Sequence, residues 1–424
     1  MNKEMNKRTG RWYSNPGVLI VTIAAVSLAG SFAAFQFFIP TLLATAPELP
    51  WKTNSTSTSP VTSEPERQIS AHIKTPDAVK GVYMSQCAVG TPSFRDSLMK
   101  LIDTTELNSV IIDIKDYTGK ISFTPSDPEL ASWVSDQCGA RDMRQFIEKL
   151  HEKGIYVIGR ITVFQDPTYT KEHPELAVQS AAHGVPWKDR KGLSFIQVGA
   201  KPYWEKVVKL SKASYDVGFD ELNFDYIRFP SDGNMEDARY TLTAGKSKAE
   251  ALEEFFAYLH EQLKDEGVVT SADLFGMVTT NTDDLGIGQV LERALPYFDY
   301  ISPMVYPSHY PKGFNGWNDP NAHTYDLMKF VLEAAVRRTV ATETTIAGMQ
   351  FERIGTSTPA IYKKPAYDKN KIRPWLQDFD YPVEYTPGMV QNQIVATFDV
   401  GLNSYLFWDP GNKYSSLKQV LKAQ

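Results

Sequence analysis

From Val79 onward, short β-branched apolar runs alternate with longer segments whose apolar residues recur at helical spacing. GVYMS (81–85) precedes SFRDSLMKLIDTT, and SVIIDIKDYTG (109–119) precedes RDMRQFIEKLHEKG. IYVIGRITVF (155–164) leads into PYWEKVVKLSKASYDVG, and ELNFDYIRFP into the amphipathic KAEALEEFFAYLHEQLKDEG. VVTSADLFG is followed by GQVLERALPY, FDYISPMVY by YDLMKFVLEAAVRR, and IRPWLQDF by MVQNQIVATFDVG. NSYLFWDPG and SSLKQVLKA close the series. Alternating strand and helix units predict a parallel sheet. About eight of them suit an α/β fold of the (β/α)8 TIM-barrel type. An open doubly wound sheet is the alternative, but Gly90 alone does not make its glycine-rich phosphate turn.

One stretch tests this pattern. In ELNFDYIRFPSDG (221–233), Asp225 stands inside an apolar strand and Arg228 follows it. A buried, unpaired carboxylate costs several kcal/mol, on the order of 2–7 for an uncompensated polar group. In a barrel, side chains alternate, so Leu222 and Phe224 face the helices while Asn223 and Asp225 face the interior. Asp225 then sits at the mouth, where the C-terminal strand ends of such barrels gather their chemistry. Other predicted strands also end in polar or aromatic residues. These are Asp113, Lys115 and Asp116; Arg160; Asp273; Tyr306 and His309; Trp375, Gln377 and Asp378; Trp408 and Asp409.

The first residues are patterned differently. Lys3, Lys7, Arg8 and Arg11 precede a charge-free stretch whose apolar core runs from Gly17 to Ile39. That length predicts a membrane-spanning signal anchor over 17–46, with the basic tail (1–16) cytoplasmic and everything after it outside. A cleaved signal peptide is the rival, since Ala44-Thr45-Ala46 resembles a cleavage site. Residues 47–78 are rich in Ser, Thr and Pro and read as a linker. The folded domain is expected over 79–424, on the outer side of the cell membrane. Within it stand the only two cysteines of the 424-residue chain, Cys87 and Cys138. An oxidising compartment predicts that they pair; two free thiols is the other reading.

Composition narrows the partners. The chain is 42% hydrophobic and 12% aromatic, enough for a large core, and its net charge is −6. With no basic cluster beyond the N-terminus, nucleic acid is not an expected partner.

DYIRFP, SADLFG, ISPMVYPSHY, IRPWLQDF and LFWDPGNKY, in that order, resemble an uncharacterised bacterial family of TIM-barrel domains described as candidate glycoside hydrolases. The resemblance runs from about Lys80 to Tyr414. It implies a carbohydrate substrate, and here a membrane-anchored member. Two features depart from the family's pattern. Residues 341–371 are longer than expected and are predicted to add a loop at the mouth, and Asp409 stands where Asn is expected.

Glycoside hydrolysis needs two carboxyl groups, one acid and one nucleophile or base. Asp225 with Asp273, or Asp225 with Asp378, are the candidate pairs, with Trp375 or Gln377 as the alternative inward residue in place of Asp378. The bland alternative for Asp225 is an ion pair with Arg160 or Arg228; for Asp113 and Asp116 it is a charge-paired role beside Lys115. Tyr306, Trp375 and Trp408 are candidate stacking platforms for a sugar ring. The groups expected to contact substrate are Asp113, Lys115, Arg160, Asn223, Tyr226, Arg228, Tyr306, His309, Trp375, Gln377 and Trp408. No cofactor is expected. The seven histidines are scattered without H-E-x-x-H, so no metal site is predicted. There is no G-x-S-x-G elbow and no P-loop. The remaining alternatives are a non-catalytic carbohydrate-binding barrel and a barrel hydrolase of another bond.

Overall fold

The structure is a computed structural model that describes residues 69–243 and 245–423. The expected basic tail, the anchor over 17–46 and most of the linker lie outside the described residues.

Eight strands close a barrel: β1 (Lys80–Met84), β2 (Ser109–Lys115), β3 (Tyr156–Thr162), β4 (Glu221–Asp225), β5 (Val269–Phe275), β6 (Tyr300–Met304), β7 (Trp375–Gln377) and β8 (Tyr405–Trp408). Each pairs in parallel with the next, and β1 closes on β8 through Lys80↔Tyr405 and Val82↔Phe407. The helices α1 (Pro92–Asp103), α2 (Met143–Glu152), α3 (Lys201–Val217), α4 (Lys248–Leu263), α5 (Thr324–Val340) and α6 (Pro387–Asp399) provide the return connections.

Local sequence explains the helix ends. Pro92 and Pro387 occupy first-turn positions where no N–H is needed. Ser247 and Glu250 form a reciprocal capping box on α4. α2 buries Met143, Phe146, Ile147 and Leu150, one stripe at helical spacing. Two expected helices are shorter than their patterns. GQVLERALPY gives only Leu291–Ala294, because Pro296 cannot continue the helix. SSLKQVLKA gives only a single 3-10 turn, Leu417–Gln419.

Strand alternation sorts the side chains into two environments. Leu222 and Phe224 of β4 join the large apolar layer under the helices. The interior holds a second apolar plug of Tyr83, Ile111, Tyr156, Ile158, Trp375 and Leu406. Below the plug, at the N-terminal end, Arg373 Nη1 donates to both oxygens of Glu221 at 2.9 Å, and Tyr156 donates to Glu221 at 3.1 Å. The segment before β1 covers this end: the Ile73 amide donates to Asp220 Oδ1 at 2.9 Å.

Residues 341–371 do not add to the mouth. They form a small antiparallel sheet of strands 343–344, 352–354 and 361–363. That sheet lies in the connection from α5 to β7, contributes nothing to the lining of the cavity at the mouth, and meets α4 where the Met349 amide donates to Glu253 at 2.7 Å. Arg373, just beyond it, meets Glu221 at the N-terminal end.

Candidate active site

At the C-terminal end the interior positions of β2 to β5 place charged residues in one layer. Arg160, buried on β3, is its hub. Its Nη1 donates to Asp113 Oδ1 at 2.7 Å, its Nη2 donates to Asp225 Oδ2, and its Nε lies 3.8 Å from Asp273 Oδ2. Burial works against this charge, but Asp225 and Asp113 outweigh it and hold the guanidinium protonated. Its other contacts are aromatic, with its carbon 4.9 Å from the Trp408 ring centre.

The carboxyl groups around it differ. Asp225 ends β4; its Oδ1 accepts the Tyr226 amide at 2.5 Å while its Oδ2 accepts from Arg160. Asp273, one strand on, is almost fully buried. Its Oδ1 accepts from Asn223 Nδ2 at 2.8 Å and from Trp375 Nε1 at 2.7 Å. Burial, and after it the negative charge of Asp225, push the Asp273 carboxyl well above the usual carboxylate range. Asp113 is raised by burial too, but Arg160 and the Tyr83 hydroxyl both bond to it. Asp113 holds the hub from the side and does not line the cavity.

That cavity, of about 330 Å³, opens over Arg160, Asp225 and Asp273. Its walls include Tyr226, Arg228, Tyr306, His309, Trp375 and Trp408. It is at the small end for a ligand site, lined by apolar rings with a few convergent polar groups. Tyr226 has a φ of 51°, a left-handed conformation rare for a bulky residue. Arg228 lies between two rings, its guanidinium carbon 4.7 Å from the centres of Tyr226 and of Phe275. Gly276 lets the wall close: a Cβ there would meet the Met304 carbonyl at 2.5 Å.

Several expectations need correction. Asp378 is not part of this cluster. On β7 the inward positions are Trp375 and Gln377, and Asp378 turns toward a separate depression with Asp380, Glu384 and Asp409. There it accepts the Leu417 amide at 3.2 Å, and burial raises it to about 7. Lys115 also leaves the mouth. The register slips between Asp113 and Lys115, and the ammonium pairs with Asp166 at 2.9 Å. Asp116 closes a turn by accepting the Thr118 amide at 2.9 Å. Gln377 is spent on Ser308 and the Phe379 carbonyl, both at 2.9 Å. Arg228 makes no ion pair with Asp225; its Nη1 donates to the Phe229 carbonyl at 3.0 Å and to Ser231 Oγ at 3.2 Å. Trp375 is buried in the cavity wall with its indole N–H committed to Asp273, so it positions a carboxyl group there.

Trp408 is partly exposed and stacked on Tyr83, ring centres 3.9 Å apart and 22° from parallel. Tyr306 is buried in the wall and His309 is exposed at the rim. Asn223 faces inward as the donor to Asp273. Sequence reasoning missed Tyr83 and Phe275. The end of β1 carries no charge to flag Tyr83, and at the end of β5 Asp273 drew the attention away from Phe275, two residues on and of the same parity. Asp409, the departure from the expected Asn, has a structural task. Its two oxygens accept the amides of Gly411, Lys413 and Tyr414 at 2.7 to 3.0 Å, more acceptor capacity than one amide oxygen supplies. Cys87, in the short helix after β1, and Cys138, in the loop after β2, form a disulfide. Among the described residues no group of three His, Cys, Asp or Glu side chains has metal-holding geometry.

Comparison with known proteins adds to this geometry. Residues 81–414 match a family described as "Putative glycosyl hydrolase domain". A hypothetical protein from Ruminiclostridium thermocellum is 32% identical over 49% of this chain and 98% of its own, with a TM-score of 0.41. The glycoside hydrolase domain of PgaB (BpsB) from Bordetella bronchiseptica is 12% identical over 81% of this chain and 99% of its own, with a TM-score of 0.56. The glycoside hydrolase domain of PelA from Pseudomonas aeruginosa is 12% identical over 80% of this chain and 98% of its own, with a TM-score of 0.41. The likeness to PgaB is one of fold. No curated protein matches.

Proposed function

The chain belongs to the family described as a putative glycosyl hydrolase domain, and on that premise we propose that it hydrolyses glycosidic bonds with Asp225 and Asp273. The observation that carries the reading is the placement of both carboxyl groups around one guanidinium, Arg160, in the floor of a cavity. Their environments differ in the direction the chemistry needs. Asp273, kept protonated by burial and by its charged neighbour, acts as the general acid toward the leaving oxygen. Asp225, whose two oxygens both accept hydrogen bonds, acts as the nucleophile on the sugar's anomeric carbon. A glycosyl–Asp225 ester forms as the leaving group departs with the Asp273 proton. Asp273, now ionised, then takes a proton from the water that cleaves the ester. Arg160 offsets the negative charge that moves between the two carboxyl groups. Trp408 and Tyr226 supply partly exposed ring faces for the sugar.

The reading extends to location. The basic tail and apolar stretch at the N-terminus support a membrane-anchored enzyme working outside the cytoplasm on a surface or environmental polysaccharide. Protease added to intact spheroplasts should release a fragment that begins within or after residues 47–78; protection until lysis would reverse the orientation. The test of function is release of reducing ends from a polysaccharide panel by the wild type but not by Asp225→Asn. A folded wild type that binds oligosaccharide and releases none is a carbohydrate-binding barrel.

A further inference from the structure

Arg228 is a buried cation in the cavity wall, and no carboxylate within the described residues forms an ion pair with it. The two bonds on its Nη1 go to neutral acceptors, the Phe229 carbonyl and Ser231 Oγ. Tyr226 and Phe275 cover its faces at 4.7 Å. The carboxylates nearest in influence are occupied elsewhere. Asp225 is engaged by Arg160 and the Tyr226 amide, and Asp189 accepts the amides of Lys191 and Leu193 and the Gln165 side chain. Burial accordingly works against the charged form of Arg228 and lowers its pKa from the usual arginine value.

A buried guanidinium without an anion is costly, and proteins ordinarily pair it. Arg228 lines the same cavity as Asp225 and Asp273, and its further side-chain partner there, the Tyr226 hydroxyl, is neutral as well. The aromatic faces fix the plane of the guanidinium, so its edge is preorganised for a charge-assisted bond to an oxyanion. We propose that the sugar bound beside the Asp225–Asp273 pair carries an anionic substituent, and that Arg228 is the residue that recognises it. The substrate class is then an acidic glycan, with a carboxylate, sulfate or phosphate on the sugar. This inference rests on the glycoside hydrolase reading for its catalytic meaning, but the binding it predicts can be measured alone.

The experiment uses the full-length chain and three monosaccharides, D-glucuronate, D-glucose 6-sulfate and D-glucose, followed by tryptophan fluorescence from the Trp408 wall. One or both anionic sugars should bind about tenfold or more tighter than glucose, as a charge-assisted bond implies. The preference should fall with added salt, and the better anion distinguishes a carboxylate from an ester. Arg228→Gln should bring the sugars to within about twofold of one another, and Arg228→Lys should keep part of the preference. Circular dichroism confirms the fold of each variant, and the lysine variant serves if the glutamine one unfolds. Equal binding of charged and neutral sugars, binding of none, or an undiminished preference in a folded Arg228 variant overturns the inference. Reducing-end release separates the two claims. Hydrolysis of dextran or chitosan with no anion preference leaves the glycosidase standing and removes the acidic substrate. Arg228-dependent anion binding without hydrolysis of any polymer does the reverse.

Discussion

The indole Nε1 of Trp375 donates to Asp273 Oδ1 at 2.7 Å, reaching across the barrel interior from β7 to β5. Asn223 donates to the same oxygen at 2.8 Å. With two donors on Oδ1, Oδ2 is the oxygen that would carry the proton of the proposed acid. Trp375→Phe removes one donor while keeping most of the ring. Its kcat should fall about tenfold, the worth of one buried hydrogen bond. Because that bond lowers the Asp273 pKa, its loss should also move the alkaline limb of the pH profile upward. An unchanged limb in steady-state kinetics would leave Trp375 as packing alone.

The raised pKa of Asp273 makes two linked predictions. As an acid it must be protonated, so activity should decline as pH rises through its folded-state value. Stability follows the same sign. A folded pKa above the unfolded one contributes stability that is complete below the unfolded value and is lost as pH rises through the folded one. The Tm of Asp273→Asn relative to wild type should therefore rise as pH climbs above the ordinary carboxylate range, while the variant remains inactive. A constant Tm difference over that climb would argue against a protonated Asp273.

Asp225 and Arg160 touch, yet their variants should behave differently. Asp225→Asn keeps the shape and should retain the wild-type Tm within a few degrees, with kcat reduced by at least about 10³-fold. Arg160→Met leaves Asp113, Asp225 and Asp273 crowded without their cation and should cost about 3–5 kcal/mol in urea denaturation. If Asp225→Asn unfolds and residual activity tracks the folded fraction, Asp225 is a structural partner of Arg160 only.

At the other end of the barrel, Arg373→Met strands a fully buried Glu221 and should also cost about 3–5 kcal/mol. Activity per folded molecule should not change, since Arg373 lies outside the cavity. Adding Glu221→Gln should restore part of the loss, which a double-mutant cycle on urea midpoints reads directly.

The Cys87–Cys138 bond closes a separation of 51 residues. On the chain-entropy account its removal in a double serine variant costs about 4 kcal/mol. The Tm of wild type should fall toward that of the variant when dithiothreitol is added, and the variant itself should be insensitive to it.

Periodicity alone determined the barrel. Each strand buries one face against helices and the other against the interior, so the apolar alternation survives in every unit and marks all eight strands. Asp225 was legible for the same reason: a charge at an inward position near a strand end has only the mouth to face. What periodicity does not carry is a side chain's partner. The interior of a barrel brings together residues far apart in sequence, and only closure decides who meets whom. Arg160 thus became the common partner of Asp113, Asp225 and Asp273. Lys115, adjacent to Asp113 in pattern, was turned to Asp166 by a register slip, and Asp378 was excluded because Trp375 and Gln377 take the inward positions of β7. The place of residues 341–371 was set by contact and not by composition: the Met349 amide donates to Glu253 of α4, and none of the segment lines the cavity. The sequence held the list of charged groups; the closed sheet decided which of them share a guanidinium, and which one, Arg228, has no ion-pair partner among the described residues.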